Sequence, residues 1–503
     1  MTFSIPHDSA VEPLVFALDV GSSGTRGGLF DATGRPLSGV RHKEPHVFTT
    51  VADGTVVVDP DQVVAEVVTV LETVLTAHRE RSGKHAAPMA GVAIDTFASS
   101  LVGVDRSGTA VTPCFTYADS RCAAQVDQLR REYDEAETQQ RTGTRFHTSY
   151  LPARLRWLHQ TRPDLVRTVD RWMSLSEYVH LRLLGSTAAG TSVAAWTGML
   201  DRRTADWDPT MLEAAGVTAE QLSPVQHPGD PIPAPEAPRE GLRKRTWRLL
   251  ADAHWVPGLA DGFVSNLGAG GTDASSPVLS TATSGAMRVV VDQVPDQVGT
   301  GLWCYRADAE RSVVGGAIND VGRALDWLRS TVQLPPADAL AAAMRAEPEP
   351  GTPLVLPFFT GERSTGWSGR ARATVTGLTA AHDGTAVARG VTEGIALSFL
   401  RVADQLRETT GRADRILLSG RVGAALPWVV DVLADALQTP ITPVTIKRST
   451  LRGTALVALE SVAPDVARAA TRTGPTVDPH PDRAEYYDER LAEFERVHRE
   501  LLG

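Results

Sequence analysis

Residues 14–31 read LVFALDVGSSGTRGGLFD. This stretch begins with a short apolar run, Leu14–Asp19, that ends in a carboxylate. A Gly-Ser-Ser-Gly turn at 21–24 follows, with glycine where a positive φ is easiest to adopt. Because an extended run resumes at Thr25–Asp31, the pattern predicts a strand, a tight turn and a second strand.

The same succession of strand, small-residue turn and strand recurs in the second half, centred on Thr-Ser-Gly at 283–285. The proline-rich stretch GDPIPAPEAPR at 229–239 lies between the two copies and is the best linker candidate, with a loop inside one domain as the alternative. A chain of 503 residues is also longer than one hydrophobic core usually accommodates. We therefore predict two related α/β domains, at 1–250 and 251–503, that face a cleft.

Apolar spacing predicts the other elements in outline. Helical spacing occurs at 60–78, 322–330, 385–409 and 426–437, whereas strand-like runs occur at 54–58, 91–94, 101–104, 289–291 and 312–316. Residues 150–220 read mainly as helices. Helices and strands are thus mixed along the whole chain, as in an α/β protein.

The two turns supply the donors that a phosphate group needs. Backbone N–H groups and hydroxyls of small residues form a cradle for anions. Asp19, just ahead of the first turn, can hold a hydrated magnesium ion. The commoner solutions are absent, since the sequence has neither GxxxxGKS/T nor a GxGxxG that opens a βαβ unit. The pattern favours an ATP enzyme that is neither a P-loop protein nor a Rossmann dehydrogenase.

Composition excludes several classes of partner. The net charge is −10 and no segment gathers Lys and Arg into a basic stripe, so nucleic-acid binding is disfavoured. No apolar run reaches the roughly 18 residues of a membrane span, and the N-terminus shows no secretory signal. Cys114, Cys122 and Cys304 are too scattered for a disulfide framework or a zinc site, so we expect buried thiols. A cytoplasmic protein without a membrane partner is expected.

Together the motifs resemble the FGGY carbohydrate kinase family, of the superfamily of sugar kinases, actin and heat-shock chaperones. DVGSSGTRGGLFD (19–31) resembles its first phosphate motif, TATSGAMR (281–288) its second, and LLSGRVGAALPWVVDVLADALQTPI (417–441) its adenosine motif. GLADGFVSNLGAG (258–270) resembles the stretch with the family's catalytic base. The resemblance implies two ribonuclease H-like (actin/sugar kinase-like) domains with an ATP- and substrate-binding cleft between them.

The resemblance also places roles on individual residues. Asp261 is expected to be the catalytic base and a substrate contact, and Asp19 to organise Mg²⁺ through water. Nucleotide and phosphate contacts are expected from Gly21, Ser22, Ser23, Thr25, Arg26, Thr283, Ser284, Gly285, Gly420 and Arg421. Further substrate contacts are expected from Asp119, Arg121, Arg145, His147 and Arg288. The alternatives are a turn or helix cap for Asp261, an ion pair between Asp119 and Arg121, and salt bridges or solvated side chains for the others.

Within the family, segments such as TPCFTYADSR (112–121) and VVGGAINDVGRALDWLR (313–329) most resemble gluconokinases. This implies transfer of the ATP γ-phosphoryl group to a hydroxyl of a small sugar or sugar acid, most of all gluconate. Xylulokinases usually carry Met-His-Gly near the sugar, whereas this chain reads IDTFASSL at 94–101. Xylulose or another pentulose or polyol is the alternative substrate, and a non-catalytic sugar- or nucleotide-binding sensor the alternative function. The oligomeric state is left open, with a homodimer as one candidate.

Several positions depart from the family pattern, among them Arg154 where lysine is expected and the GER of 361–363, which lacks the usual following proline; two more lie in the nucleotide motifs. Ala282 stands where the second phosphate motif usually begins with glycine, and adds a Cβ where backbone approaches phosphate. Arg421 follows Gly420 where a Gly-Gly pair is usual. We expect Arg421 to stack on adenine, to reach phosphate or to obstruct the usual nucleotide pose.

Overall fold

The stretch at 14–31 forms the predicted hairpin in a computed structural model of the protein, which describes residues 3–83 and 86–502. Its strands are antiparallel, and Gly21 lies opposite Gly24 across the turn. A Cβ at Gly24 would lie 2.3 Å from the backbone oxygen of Glu44, and the residue has a φ of 137°. Glycine is therefore required at this corner of the turn.

The strands of the described residues, in chain order, are β1 (Leu14–Gly21), β2 (Gly24–Phe30), β3 (Pro36–Glu44), β4 (Thr49–Thr50), β5 (Val56–Val58), β6 (Met89–Thr96), β7 (Val102–Val104), β8 (Cys114–Phe115), β9 (Arg171–Met173), β10 (Ala189–Gly190), β11 (Val225–Gln226), β12 (His254–Trp255), β13 (Leu259–Ala260), β14 (Val278–Thr281), β15 (Gly285–Val291), β16 (Trp303–Arg306), β17 (Ser312–Ile318), β18 (Leu354–Leu356), β19 (Thr374–Thr376), β20 (Ile416–Ser419) and β21 (Ile441–Pro443).

The helices of the same residues are α1 (Pro60–Ser82), α2 (Ala123–Glu132), α3 (Glu135–Thr142), α4 (Leu151–Thr161), α5 (Pro163–Val166), α6 (Leu175–Leu184), α7 (Thr191–Ala195), α8 (Pro209–Ala215), α9 (Lys244–Trp247), α10 (Asp261–Ala269), α11 (Gly322–Thr331), α12 (Ala337–Arg345), α13 (Gly384–Thr410), α14 (Arg421–Ala425), α15 (Pro427–Leu437), α16 (Ser449–Val462) and α17 (Ala484–Leu502). No helix in this part of the chain has the length and hydropathy to cross a membrane.

The first of two compact units consists of Met1–Gly268, Cys304–Ser312 and Ile446–Thr471. Its main sheet has the order β12-β6-β1-β2-β3, and β13 also pairs with β6. β1, β12 and β13 all run parallel to β6. A Cβ at Gly27 would contact Val70 of α1, and one at Gly91 would contact Ala458 of α16. These two helices therefore cover opposite faces of the sheet.

The predicted boundary at residue 250 and the linker candidate at 229–239 both fall inside this unit. β12 and β13 follow the boundary and extend the first sheet through their pairs with β6. The proline-rich composition thus marks an irregular segment within one unit. As a result Asp261 belongs to the first unit, together with the first turn.

The second unit consists of Ala269–Trp303, Val313–Thr445 and Arg472–Gly503. In its main sheet β17, β15, β14, β20 and β21 lie in that order. β14 and β15 form an antiparallel hairpin, and β14 runs parallel to β20 on its other side. Each unit therefore sets the first strand of a hairpin beside a parallel strand. This repetition confirms the prediction of two related α/β domains.

The helix predicted at 60–78 is confirmed and extends one turn further, to Ser82. Asp59 caps its start by accepting a hydrogen bond from the Asp61 N–H (2.9 Å), and Pro60 occupies the first helical position. Gly83 follows its last turn. Valines at helical spacing on α1 are buried against the sheet. The helix thereby fixes the strands that carry the first turn.

The three cysteines are free and buried, as predicted. Burial raises the pKa of Cys114 to about 12 and that of Cys304 to about 11. Both thiols therefore stay protonated at neutral pH. Because the thiolate is the reactive form, we expect both cysteines to be inert.

Candidate active site

Three acidic residues lie at or just beyond the carboxyl ends of neighbouring parallel strands. Asp19 of β1 lies opposite Asp95 of β6, which in turn lies opposite Leu259 of β13. Asp261 follows Leu259 by two residues and is the first residue of α10. Ligands of open α/β sheets bind at this edge. The topology thus brings the two predicted acids, Asp19 and Asp261, to one place.

Asp19 and Asp95 are both buried, with 4% and 0% of their surface exposed. Burial raises the pKa of Asp19 to about 6, and it raises the pKa of Asp95 well above its usual range. The negative charge of Asp261 adds to both shifts, whereas Arg26, whose Nε lies 3.4 Å from Asp19 Oδ2, opposes them. The three carboxyl groups therefore act as one electrostatic group.

Asp95 is a candidate functional residue that the sequence analysis missed. Thr454 of α16 donates a short hydrogen bond to its Oδ2. Its Oδ1 is buried and accepts no hydrogen bond from any residue in the described ranges. A signal was present, since GVAID at 91–95 repeats the pattern of VFALD at 15–19, an apolar run that ends in a carboxylate.

Asp261 is half-buried at the start of α10, where the Gly262 N–H donates to its Oδ1 (2.8 Å). A carboxylate is stabilised at the positive end of a helix. The capping alternative is therefore present in part. The catalytic role of Asp261 stays a prediction, and the same carboxylate raises the pKa of Asp19 and Asp95.

The first turn presents Ser22 and Ser23 to solvent, where a phosphate can reach them. Thr25 differs from its predicted role. It is fully buried, and its hydroxyl donates to Glu66 Oε2 (2.8 Å). The Thr25 side chain therefore supports the turn from inside and does not present its hydroxyl to a ligand.

A buried histidine ties the first turn to α1. His46 Nε2 lies 2.9 Å from the backbone oxygen of Gly21, and its Nδ1 lies 2.7 Å from Glu66 Oε2. Glu66 also accepts hydrogen bonds from Thr25 and Gln62. Through these two contacts His46 links the backbone of the first turn to a side chain of α1. The sequence analysis missed this residue as well.

Asp119 and Arg121 form the ion pair that was left open as the alternative, with 2.6 Å between Arg121 Nη2 and Asp119 Oδ2. The Asp119 carboxylate also accepts from the N–H groups of Val56 and Arg121 and from Arg121 Nε. These contacts occupy its acceptor sites, so the geometry does not support the predicted sugar contact of Asp119. Asp119 instead positions Arg121, whose guanidinium also lies 4.4 Å from the ring centre of Trp157.

The other candidates of the first unit are also engaged within the protein. Arg145 Nη2 donates to Glu135 Oε2 (2.6 Å), which is the salt bridge named as its alternative. His147 Nδ1 lies 2.9 Å from the hydroxyl of Ser149. Both residues line a small pocket beside α4.

In the second unit, the turn at 282–284 is exposed and lies between β14 and β15. The N–H groups of Val321, Gly322 and Arg323 donate to its carbonyl oxygens at 2.9–3.2 Å. A Cβ at Gly322 would lie 2.4 Å from the Ala282 oxygen, so glycine allows this close approach. The start of α11 thereby supports Thr283 and Ser284, and the extra Cβ of Ala282 lies in the exposed turn.

Gly420 and Arg421 lie beside the same turn. Gly420 has a φ of 105°, and a Cβ there would lie 2.2 Å from the Thr281 oxygen. Arg421 Nη2 donates to the Thr283 hydroxyl (3.1 Å). The structure therefore joins the predicted adenosine motif to the second phosphate motif. Arg288 lies on β15 in this unit, with its Nη1 3.4 Å from the Ser280 hydroxyl.

Within the residues described, no group of three or more His, Cys, Asp or Glu side chains is arranged to hold a metal ion. Magnesium usually keeps several waters and is bound through one or two carboxylates and the substrate phosphates. The single carboxylate of Asp19 beside the first turn fits a hydrated ion of that kind. It does not fit a site made by protein ligands alone.

Residues 14–233 match the N-terminal domain of the FGGY family of carbohydrate kinases, and residues 280–461 match its C-terminal domain. The chain belongs to this family. FGGY kinases transfer a phosphoryl group from ATP to an alcohol group of a carbohydrate, so the predictions of an ATP-dependent phosphotransferase and of a sugar substrate are confirmed. The family also accounts for two hairpin turns, one in each unit.

Gluconokinases and xylulose kinases are among the proteins that are similar to this FGGY kinase. Gluconokinase of Bacillus subtilis (strain 168) is 24% identical over 429 residues, which are 82% of this chain and 81% of that protein. Xylulose kinase of Escherichia coli (strain K12) is 25% identical over 334 residues, 66% and 67% of the two chains. The crystal structure of gluconate kinase from Lactobacillus acidophilus has a TM-score of 0.85 at 23% identity and covers 97% of this chain and 98% of that one. The last similarity confirms the two-domain FGGY fold.

Proposed function

We propose that this FGGY kinase phosphorylates gluconate. The observation that carries the proposal is the group formed by Asp19, Asp95 and Asp261 at the ends of parallel strands. In this group the carboxylate of Asp19 would hold a metal ion, and the carboxylate of Asp261 would accept a proton. The choice of gluconate is supported by relatives named gluconokinase that align along most of the chain.

In this proposal Asp261 accepts the proton of the attacking hydroxyl. A positioned general base typically contributes about a hundred- to ten-thousand-fold to the rate. Asp19 would hold Mg²⁺ through water, and the ion would neutralise charge on the phosphates when it is bound. Arg26 keeps the Asp19 carboxylate in place and is itself available to an anion at the first turn.

The phosphate oxygens of ATP would be bound by Ser22 and Ser23 of the first turn and by Thr283, Ser284 and Arg421 of the second unit. Each group offers exposed hydroxyls on a turn that is supported from behind. Gly285 and Gly420 stay predictions as nucleotide contacts, because a Cβ at these positions would lie 2.7 Å from the Phe399 side chain and 2.2 Å from the Thr281 oxygen, inside the protein. The hydrogen bond from Arg421 to Thr283 favours a phosphate contact of this arginine over stacking on adenine.

The gluconate carboxylate requires a cationic partner, for which we propose Arg121. Asp119 fixes one edge of its guanidinium, and the planar group can bind a second carboxylate. His147, Arg288 and Arg145 stay predictions as substrate contacts. We also infer a cytoplasmic setting from the three buried free thiols, which are typical of reducing compartments. A homodimer is a prediction that light scattering would test.

A screen of ADP release against gluconate, xylulose and glycerol tests the proposal, with Arg121→Gln measured alongside. We expect the highest kcat/KM with gluconate and a KM for gluconate raised at least tenfold in the variant. A preference for xylulose that Arg121→Gln leaves unchanged would assign the enzyme to a ketose. Equal, slow release with every compound would contradict all three substrates.

A further inference from the structure

A cavity of about 200 Å³ lies in the first unit, between the β2–β3 hairpin and the start of α16. Gly28 and Arg41 line it from the hairpin, and Lys447, Arg448 and Arg452 line it from the region where α16 begins. None of the described residues that line the cavity is Asp or Glu. Its walls thus carry four cationic side chains and no anionic one among those residues.

The register of the hairpin explains why Arg41 faces the cavity. Gly27 faces α1, so the next residue, Gly28, faces the opposite side of the sheet. Arg41 lies opposite Gly28 on β3, and directly paired residues share a face. Lys43 and Arg26 form the next such pair on that face. A row of basic side chains therefore extends from the cavity toward the first turn.

Arg452 places a buried charge at the cavity wall. Only 3% of its surface is exposed. Its guanidinium donates to the carbonyl oxygens of Gly34, Gly268 and Ala469 and to the Thr471 hydroxyl, at 2.7–3.3 Å. Burial lowers its pKa to about 10, so the group is still protonated at neutral pH. These partners are neutral, so none of them is a carboxylate that cancels the positive charge at the cavity wall.

Arg448 is held in an uncommon conformation at the N-cap of α16, with a φ of 64° and a ψ of 50°. This left-handed region is rare for residues other than glycine. Partial burial and the charges of Arg41 and Arg26 lower its pKa. Neither Arg448 nor Lys447 nor Arg41 forms an ion pair with a carboxylate in the described part of the chain. The like charges repel one another, and an anion between them would relieve that repulsion.

We propose that this cavity binds a phosphate-bearing small molecule, at a site separate from Asp19, Asp261 and the two phosphate turns. A guanidinium group can bind two oxygens of one phosphate at the same time. The N-terminus of α16, a helix of 14 residues, adds a further preference for anions. Pockets for drug-sized ligands usually measure roughly 300–1,000 Å³. The smaller volume here suits a phosphate with a short carbon chain better than a nucleotide.

The test is calorimetric titration of the full chain with inorganic phosphate. The double variant Lys447→Gln/Arg448→Asn removes two charges from the cavity, and asparagine tolerates the left-handed backbone. Its matched control is Lys244→Gln/Arg245→Gln, an exposed Lys-Arg pair at α9 of the same unit. We expect one class of phosphate site to weaken at least tenfold in the cavity variant and to be unchanged in the control. Binding at the phosphate turns should persist in both.

Arg41→Gln alters the cavity from the other side, on β3, and should weaken the same class of site. It also decides the matter if the double variant fails to fold. A parallel titration with glycerol 3-phosphate distinguishes the two sources of the phosphate group. Tighter binding than inorganic phosphate identifies an ester as the ligand, whereas equal binding identifies free phosphate. An unchanged number and affinity of sites in both cavity variants would overturn the proposal.

Discussion

Asp19 and Asp95 lie directly opposite each other on the parallel strands β1 and β6, and both carboxyl groups are buried. Such a pair resists double ionisation, because burial raises the pKa of both groups and the negative charge of Asp19 raises the pKa of Asp95 further. Asp261 adds a third charge from the start of α10. The site therefore maintains an electrostatic repulsion that a bound cation would relieve.

The first prediction concerns the acid limb of activity. Burial raises the pKa of Asp19 to about 6, and only the ionised carboxylate can hold a hydrated cation. We expect kcat/KM for ATP to fall about tenfold per pH unit below pH 6, because this ratio reports groups of the free enzyme. The measurement is a pH profile between 5 and 8 at saturating magnesium. A profile that stays flat down to pH 5 would contradict the role of Asp19.

The second prediction concerns stability. The folded state binds a proton at Asp95 more tightly than the unfolded state does, so its contribution to stability falls as the pH rises above about 4. Asp95→Asn keeps an acceptor for Thr454 and removes the charge. We expect its melting temperature to exceed that of the wild type by a few degrees at pH 8 and by less at pH 5.

Asp127→Asn is the control, since Asp127 is exposed on α2 and its charge should matter little at either pH. A variant that is less stable than the wild type at pH 8 would show that other groups of the protein compensate the charge of the Asp95 carboxylate. Activity should fall in the same variant if Asp95 helps to hold the cation.

The third prediction concerns His46. Its hydrogen bonds to Gly21 and Glu66 hold the first turn from inside the protein. His46→Gln removes at least one of them, and a hydrogen bond to a charged group contributes about 1.5–3 kcal/mol. We expect KM for ATP to rise at least tenfold with a smaller change in kcat. His42→Gln is the control, because half-buried His42 lies on β3 and contacts the nearby Glu44 there.

Much of the fold was predictable because its signals are local. The glycines of the first turn, the apolar run before it and the valines of α1 each specify an element within a few residues. The domain boundary was harder to predict than these elements. Membership of a sheet depends on pairing between strands that are distant in sequence, here β6 with β12 and β13. Proline content reports local backbone shape and carries no information about such pairing.

The residues of the candidate site also differ in how far the sequence predicts them. Asp19 and Asp261 were recognisable by motif, whereas Asp95 becomes a candidate only when strand pairing places it opposite Asp19. Thr25 has a hydroxyl that could bind phosphate, but its position in the hairpin places this hydroxyl inside the protein, where it donates to Glu66. His46 carries no motif at all, since its role depends on a contact with α1 formed in the folded chain.

The fourth prediction concerns Arg421 in the second unit. Its Nη2 reaches the Thr283 hydroxyl of the second turn, so we expect it to bind a phosphate of ATP. Arg421→Ala should raise KM for ATP about tenfold or more, as expected for a lost charged hydrogen bond. Arg412→Ala removes an exposed arginine of the same unit and should leave KM unchanged. A lower KM in Arg421→Ala would show instead that the side chain obstructs the nucleotide.

The rate of gluconate-dependent ADP release by Asp261→Asn tests whether Asp261 is the general base. The asparagine keeps the size of the side chain and cannot accept a proton as a carboxylate does. We predict a kcat reduced by about a hundred- to ten-thousand-fold, with gluconate affinity in equilibrium binding changed less than tenfold. A variant that retains more than a tenth of the wild-type kcat would contradict the role of Asp261 as general base.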